Sequence, residues 1–337
     1  MPYAVVPPVD RASRSALANA CWTGMHAAKP DLDAAISLQR KLIGAVEELV
    51  ATLGARPLPR LSLPPKYLTT KLKAGIPALA NEPIPMPYDL LGDGFARLCE
   101  ALADGASGEA TRLLVTAVRE KQLNIAPLLL LTLRREQSAV RMAATKAGLG
   151  HDLLWLVCDL AVGPFVHAEL APLFDRVDVT SPLHDALHEW ERGYCPLCGS
   201  WPAFLEYATG HSHDTLQTAS GEERPPESSP ADTVTTRAPR GVARCAFCAA
   251  AWDVPTATCV YCGALGEQIV ALAPSPARPA RQVVVCRGCR GYVKIVDAPP
   301  LPFPLLPLTD LDSMDLDLAA MQAGFARPAL KQFGRKR

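Results

Sequence analysis

"YCPLCGS", residues 194–200, holds two cysteines separated by two residues, and the same spacing recurs three times downstream. Cys195/Cys198, Cys245/Cys248, Cys259/Cys262 and Cys286/Cys289 take up eight of the eleven cysteines of a 337-residue chain. A CxxC turn places two sulfurs on one side of a tight bend. Two such turns brought together by hairpins make a tetrahedral S4 cage for Zn²⁺ or a single iron. One pair would be weak evidence. Four, each at a turn between strand-like runs, indicate two four-cysteine sites.

Sequence order favours joining Cys195/Cys198 with Cys245/Cys248, and Cys259/Cys262 with Cys286/Cys289, with an interleaved pairing as the alternative. In each set a knuckle, a hairpin and a second knuckle follow one another, as in a zinc ribbon or rubredoxin. The 46 residues between Cys198 and Cys245 are long for a hairpin. However, residues 209–240 ("TGHSHDTLQTASGEERPPESSPADTVTTRAPR") are polar and nearly empty of large apolar side chains. They read as a disordered insertion that cannot repay its ordering entropy. Strand-compatible runs are "WPAFLEYA", "GVARC", "QVVVC" and "GYVKIV"; Ala249–Thr258, with "WDVP", reads as a join between modules, and residues 271–280 as a Pro/Ala loop.

The chain before residue 194 is helical in pattern. Leu32, Ile36, Ile43, Val46, Leu49, Val50 and Leu53 form one stripe over residues 31–54. Residues 55–88, with eight prolines, read as an extended connection with a short helix around Leu68 to Ala74. Further helices are expected through Leu90–Leu102, after Ser107, from near Pro127 through Val140 to about Lys146, over "HDLLWLVCDLAVGPFVHAEL" (apolar nearly all round, hence central) and over "PLHDALHEWERG". A last amphipathic helix is expected within residues 308–328. The fold class read from this is an N-terminal all-helical domain (1–190) followed by two small metal-stapled β modules of rubredoxin or zinc-ribbon type. These cover residues 191–254 and 255–300, with a C-terminal helix and tail at 301–337.

Composition excludes several functions. Lys plus Arg equals Asp plus Glu, at 34 each, so no global charge grips nucleic acid or an anionic membrane. The longest strongly apolar run, Leu123–Leu133, contains Pro127 and is too short for a membrane span. The first residues lack the basic segment and apolar stretch of a secretory leader. A cytoplasmic chain is expected, in which CxxC pairs bind metal or do thiol chemistry rather than form disulfides. Cys99 and Cys158 read as buried core residues. His184 and His188 stand four apart on a helix, but Asp185 replaces the glutamate of a zinc-protease motif, and a solvated face is the simpler reading. His211 and His213 fall in the polar insertion. No phosphate loop, Ser/His/Asp order or dinucleotide fingerprint is present, so no enzyme is expected. Arg278, Arg281, Arg287, Arg290 and Lys294 cluster around the fourth knuckle. Few aromatics interleave with them, which argues against nucleic acid.

The order "YCPLCGSWP", "CAFCAAAWDV", "CVYCGA", "CRGCRGYVKIVD" and the closing "DLDSMDLDLAAMQAGFARPALKQFG" resembles the formate dehydrogenase accessory (formation) protein E family. The resemblance is specific over residues 194–330; before residue 190 it rests on helical character and length. It implies a cytoplasmic assembly factor, not itself a dehydrogenase, that acts on the formate dehydrogenase catalytic subunit before the enzyme is complete. It also implies two rubredoxin-like sites with iron, or alternatively zinc, held by Cys195, Cys198, Cys245, Cys248, Cys259, Cys262, Cys286 and Cys289. Two regions are candidate partner contacts: Arg287, Arg290, Tyr292 and Lys294 at the fourth knuckle, and Gly324–Arg327 with Phe325 and Arg327 at the end of the chain. The competing readings are a rubredoxin-type electron carrier, against which the long helical region argues, and a nucleic-acid-binding zinc-ribbon protein.

Overall fold

The computed structural model describes residues 10–58, 61–174, 177–207, 240–255, 257–272, 281–297 and 300–331. Nine helices precede the first described strand: α1 (Arg11–Ala28), α2 (Asp33–Gly54), α3 (Pro65–Lys73), α4 (Tyr88–Ala103), α5 (Gly108–Arg119), α6 (Ile125–Leu133), α7 (Gln137–Lys146), α8 (His151–Phe174) and α9 (Pro182–His188). The expected central helix is α8, which packs against α2, α4, α6 and α7. By length and composition α8 could cross a membrane, yet 61% of its most apolar window is buried inside the protein. Leu154, Val157, Ala161, Val162 and Phe165 are fully enclosed. α1, which hydropathy patterning did not reveal, begins at Asp10, whose carboxylate accepts from the Ser13 N–H at 3.0 Å and caps the helix. Its Ala18, Trp22 and Met25 pack with Ile36, Ile43 and Leu305 in a second, smaller core.

After α9 the chain builds one six-stranded sheet from β1 (Phe204–Tyr207), β2 (Arg240–Arg244), β3 (Ala251–Pro255), β4 (Ile269–Leu272), β5 (Gln282–Cys286) and β6 (Tyr292–Val296). The strand order is β3-β2-β1-β6-β5-β4. Each half is an antiparallel meander, and the halves join where β1 runs parallel to β6, with Leu205 opposite Ile295 and Glu206 opposite Val296. The fold class is therefore as expected, helices followed by a sheet that carries the cysteine knuckles.

Four local readings differ from the structure, the first being that the helix expected from near Pro127 to about Lys146 is two, α6 and α7, with Arg135 left-handed between them. Ala251–Pro255 is not a join but edge strand β3, paired along its length with β2. Ala271 and Leu272 belong to β4 rather than to a loop; residues 273–280 lie outside the described residues, as do 208–239 of the polar insertion. The terminal amphipathic pattern forms two helices, α10 (Leu306–Asp312) and α11 (Met314–Gln322), broken at Ser313, whose buried hydroxyl donates to the Thr309 carbonyl.

Within the first meander, β1 and β2 are held by an ion pair as well as by the ladder. Arg244 on β2, 1% exposed, donates from Nη1 to both carboxylate oxygens of Glu206 on β1 at 3.1 Å, and from Nη2 to the Leu301 carbonyl at 2.9 Å. Removing one partner of a buried pair strands the other charge, which costs about 3–5 kcal/mol. Glu206→Ala should therefore lower the unfolding free energy by that order, read by urea unfolding.

Candidate metal centres

All four knuckles share one backbone device. The first cysteine of each donates its N–H to the carbonyl five residues on: Cys195 to Ser200, Cys245 to Ala250, Cys259 to Ala264 and Cys286 to Gly291, at 2.8–2.9 Å. Its own carbonyl accepts from the residue after the second cysteine, namely Gly199, Ala249, Gly263 and Arg290, at 2.9–3.0 Å. That residue is left-handed in every case, with φ of 81°, 62°, 75° and 60°. Glycine supplies this conformation at no steric cost in the first and third knuckles. Ala249 and Arg290 adopt it under strain.

The structure brings Cys195 and Cys198 to Cys245 and Cys248, and Cys259 and Cys262 to Cys286 and Cys289, which is the pairing that follows chain order. In each set the four sulfurs lie within 4.8 Å of one another. Sulfur pairs across each site are 3.6 Å (Cys195–Cys248), 3.5 Å (Cys198–Cys245), 3.6 Å (Cys259–Cys289) and 3.7 Å (Cys262–Cys286). A tetrahedron with metal–sulfur bonds of about 2.3 Å has edges of roughly 3.8 Å, so both sets fit a four-coordinate ion. Such an ion, once bound, supplies a closed tetrahedral thiolate centre. Among the described residues these are the two groups in which metal-ligating atoms converge. His184 and His188 stack on each other with ring centroids 6.4 Å apart and join neither set, and His211 and His213 lie outside the described residues.

The two sites differ in their surroundings. All four sulfurs of the first belong to the main hydrophobic core. Helix α8 closes one side: a Cβ on Gly163 would stand 3.0 Å from the Phe247 carbonyl oxygen, and His167 Nδ1 lies 3.3 Å from the Cys248 carbonyl oxygen. On another side, the N–H groups of Ala78 and Leu79 donate to the carbonyls of Pro196 and Leu197, both at 2.9 Å. Buried Lys71 organises that loop through the carbonyls of Ala78 (2.8 Å) and Ala80 (2.7 Å) and the carboxylate of Glu82 (2.5 Å). Arg135, itself left-handed and buried, pairs with Asp159 and stacks 3.8 Å from the Phe247 ring centroid. Burial pushes the Cys195 and Cys248 thiols up. Burial also opposes ionisation of Cys198, but hydrogen bonds from the other three sulfurs and the Arg135 charge hold it well below the ordinary thiol value. Lys71 and Arg135 carry no motif and were invisible in the sequence. The glycines after "CPLC" and "CVYC" were the available signal for the knuckle turn.

At the second site Cys262 is exposed and Cys289 half-buried. Gly193 packs against its third knuckle so closely that a Cβ there would stand 1.8 Å from the Val260 carbonyl oxygen. Of the expected contact residues, Arg287 and Arg290 are exposed, and Phe325 is half-buried beneath the Arg290 guanidinium at 4.3 Å. Lys294 and Tyr292, however, are 0% and 4% exposed and face inward, so neither offers its side chain to a partner. Lys294 is held by Asp317 (2.6 Å) and Asp310 (2.7 Å), and the Tyr292 hydroxyl donates to Asp317 at 2.8 Å. Arg327 completes this group, 2.9 Å from both carboxylates. Arg281 is also buried, on Asp312, and Arg278 lies outside the described residues.

Two measurements check this anatomy. A Cβ at Gly263 would meet nothing within 4 Å, so Gly263→Ala isolates the backbone penalty and should cost about 1 kcal/mol. Gly193→Ala introduces instead a clash with the Val260 backbone carbonyl and should cost about 3 kcal/mol, both read by equilibrium unfolding. Burial pushes the Cys99 and Cys158 thiols up to about 12. Iodoacetamide at pH 8 should therefore leave both unlabelled until the protein is unfolded, as peptide mass spectrometry would report.

No protein-family model matches the chain. A protein named "Protein FdhE homolog" from Aquifex aeolicus (strain VF5) is 27% identical over 141 residues, 42% of this chain and 41% of that relative. The chain thus matches less than half of the relative's length. The crystal structure of the FdhE protein from Pseudomonas aeruginosa superposes on 88% of this chain and 93% of its own, with a TM-score of 0.46 and 17% identity. The chain is similar to a protein of the FdhE family, and its eight knuckle cysteines form two four-sulfur sets.

Proposed function

We propose that the chain is an accessory factor in the maturation of formate dehydrogenase, and that it binds the catalytic subunit of that enzyme rather than catalysing a reaction itself. The observation that carries the reading is the similarity to the FdhE homolog, in a chain whose eight knuckle cysteines form two complete sets. In this reading the ions are iron held as in rubredoxin, with zinc as the alternative, and the protein works in the cytoplasm. A closed four-thiolate ion leaves no open position for substrate, which favours a binding role over a hydrolytic one. The contact face would be the exposed edge of the second site, where Cys262, Leu265, Arg287 and Arg290 reach solvent and Leu265 is 62% exposed.

Tagged protein purified from cells that express a formate dehydrogenase should bring down its catalytic subunit. Leu265→Ser combined with Arg287→Glu should reduce that capture while leaving both ions in place. Wild-type protein that retains its ions yet captures no catalytic subunit would overturn the reading. An electron carrier would instead show reversible one-electron chemistry without stable capture.

A further inference from the structure

We propose that the two four-cysteine sites exchange their ions differently. The Cys259/Cys262/Cys286/Cys289 site releases and regains its ion within the folded protein, at a rate set by the C-terminal segment Gly324–Pro328. The Cys195/Cys198/Cys245/Cys248 site keeps its ion for as long as the fold stands. The proposal is independent of the formate dehydrogenase reading, since it concerns only the chain's own ligands.

Access separates the sites. A chelator can reach a sulfur of the first only by parting α8, the Ala78–Leu79 loop and the knuckles from one another. Those contacts are the main core, so opening them is unfolding. None of the four cysteines of the second site belongs to that core, and the tip of its third knuckle, Cys262–Gly263, stands in solvent. Incoming donor atoms can replace Cys262 first and the remaining sulfurs in turn. The freed thiolates take protons from water, so charge and atoms balance.

The C-terminal segment supplies the control. Ala326 donates its N–H to the Arg290 carbonyl at 3.0 Å, and Ala326 bridges Gly291 in a parallel register. Arg290 Nη2 donates to the Gly324 carbonyl at 2.8 Å, and its guanidinium lies 4.3 Å from the Phe325 ring centroid. Arg327 anchors the segment to Asp310 and Asp317. The fourth knuckle is therefore held from outside at the strained residue Arg290, whose N–H closes the turn onto the Cys286 carbonyl at 2.9 Å. Loosening the strap relaxes that turn and frees Cys289.

The test uses the full chain reconstituted with zinc and challenged with excess EDTA at neutral pH. Zinc per chain is followed in time, helical circular dichroism reports the fold, and N-ethylmaleimide marks the cysteines set free. One ion should leave in a fast phase with helicity unchanged and label at Cys259, Cys262, Cys286 and Cys289. The other should stay until denaturant is added. Phe325→Ala and Arg327→Ala should each accelerate the fast phase about tenfold or more, in line with the roughly tenfold to hundredfold loss of metal affinity on removing an outer support. The proposal is overturned if both ions leave together, if Cys195 or Cys245 is labelled first, if fewer than two ions bind, or if both folded strap variants lose zinc at the wild-type rate.

Discussion

The convergence of Cys195, Cys198, Cys245 and Cys248 inside the main core is the constraint on which the rest of the molecule depends. Their sulfurs pack among the same side chains as α2, α4 and α8, so helices and sheet share one interior. Four thiolates around a divalent ion carry a net charge of about −2 in that interior, and buried charge needs compensation. Arg135 stands beside Cys198 and Cys245, itself paired with Asp159. A structural zinc site contributes roughly 10–16 kcal/mol of binding free energy. Whole domains are stable by about 5–15 kcal/mol. An ion here would therefore decide whether the surrounding interior forms at all. The sheet register, the docking of the Ala78–Leu79 loop and the seat of α8 all follow from the position of the two knuckles.

Across the sheet the chain repeats one plan. Knuckle, strand, strand, knuckle, strand describes both halves, and in space β3-β2-β1 is followed by β6-β5-β4 in the same directions. The parallel contact of β1 with β6 is what a sideways translation of one meander onto the next produces. Parallel pairing over two registered residue pairs is a weak ladder by itself. Arg244, paired with Glu206 inside the first meander, adds one bond to the other half by donating to the Leu301 carbonyl in the segment after β6. On the other half, β5 and β6 are covered by α11, with Val283, Val285, Tyr292, Leu316 and Ala320 forming a separate small core.

The eight cysteines, their pairing and the four strands β1, β2, β5 and β6 were legible because spacing and apolar alternation are local signals. The losses were non-local. Ala251–Pro255 contains Asp253 and Pro255, which argue against a central strand. On the open edge of β2 a proline costs no ladder bond, so the segment pairs after all. Lys294 read as a surface charge in "GYVKIV", and only the fold shows Asp310 and Asp317, some twenty residues on, meeting it in the interior. Lys71 and Arg135 support the first site from the helical region through carbonyls and ring faces, partners that no motif encodes. Helix α1 escaped because its apolar stripe, Ala18, Trp22 and Met25, is sparse and packs on distant Leu305.

The two sites differ in burial yet are mechanically joined. Tyr194, beside Cys195, meets Trp201 edge-on at 5.9 Å, and Trp201 meets Tyr261, between Cys259 and Cys262, at 5.1 Å. The Trp201 indole N–H donates to the Ala329 carbonyl at 2.9 Å, so the segment that straps the fourth knuckle also touches this aromatic bridge. The Tyr261 hydroxyl donates to the Tyr292 carbonyl at 2.7 Å, tying the bridge to β6. Rings in edge contact transmit displacement because close-packed interiors yield little. A shift of the third knuckle therefore moves Tyr261, and with it Trp201 and the C-terminal segment, and also bears on the first knuckle through Gly193, which lies against the Val260 carbonyl. The enclosed site, fixed on three sides by α8, the Ala78–Leu79 loop and Arg135, resists that push, so the displacement goes to the strap and the exposed knuckles.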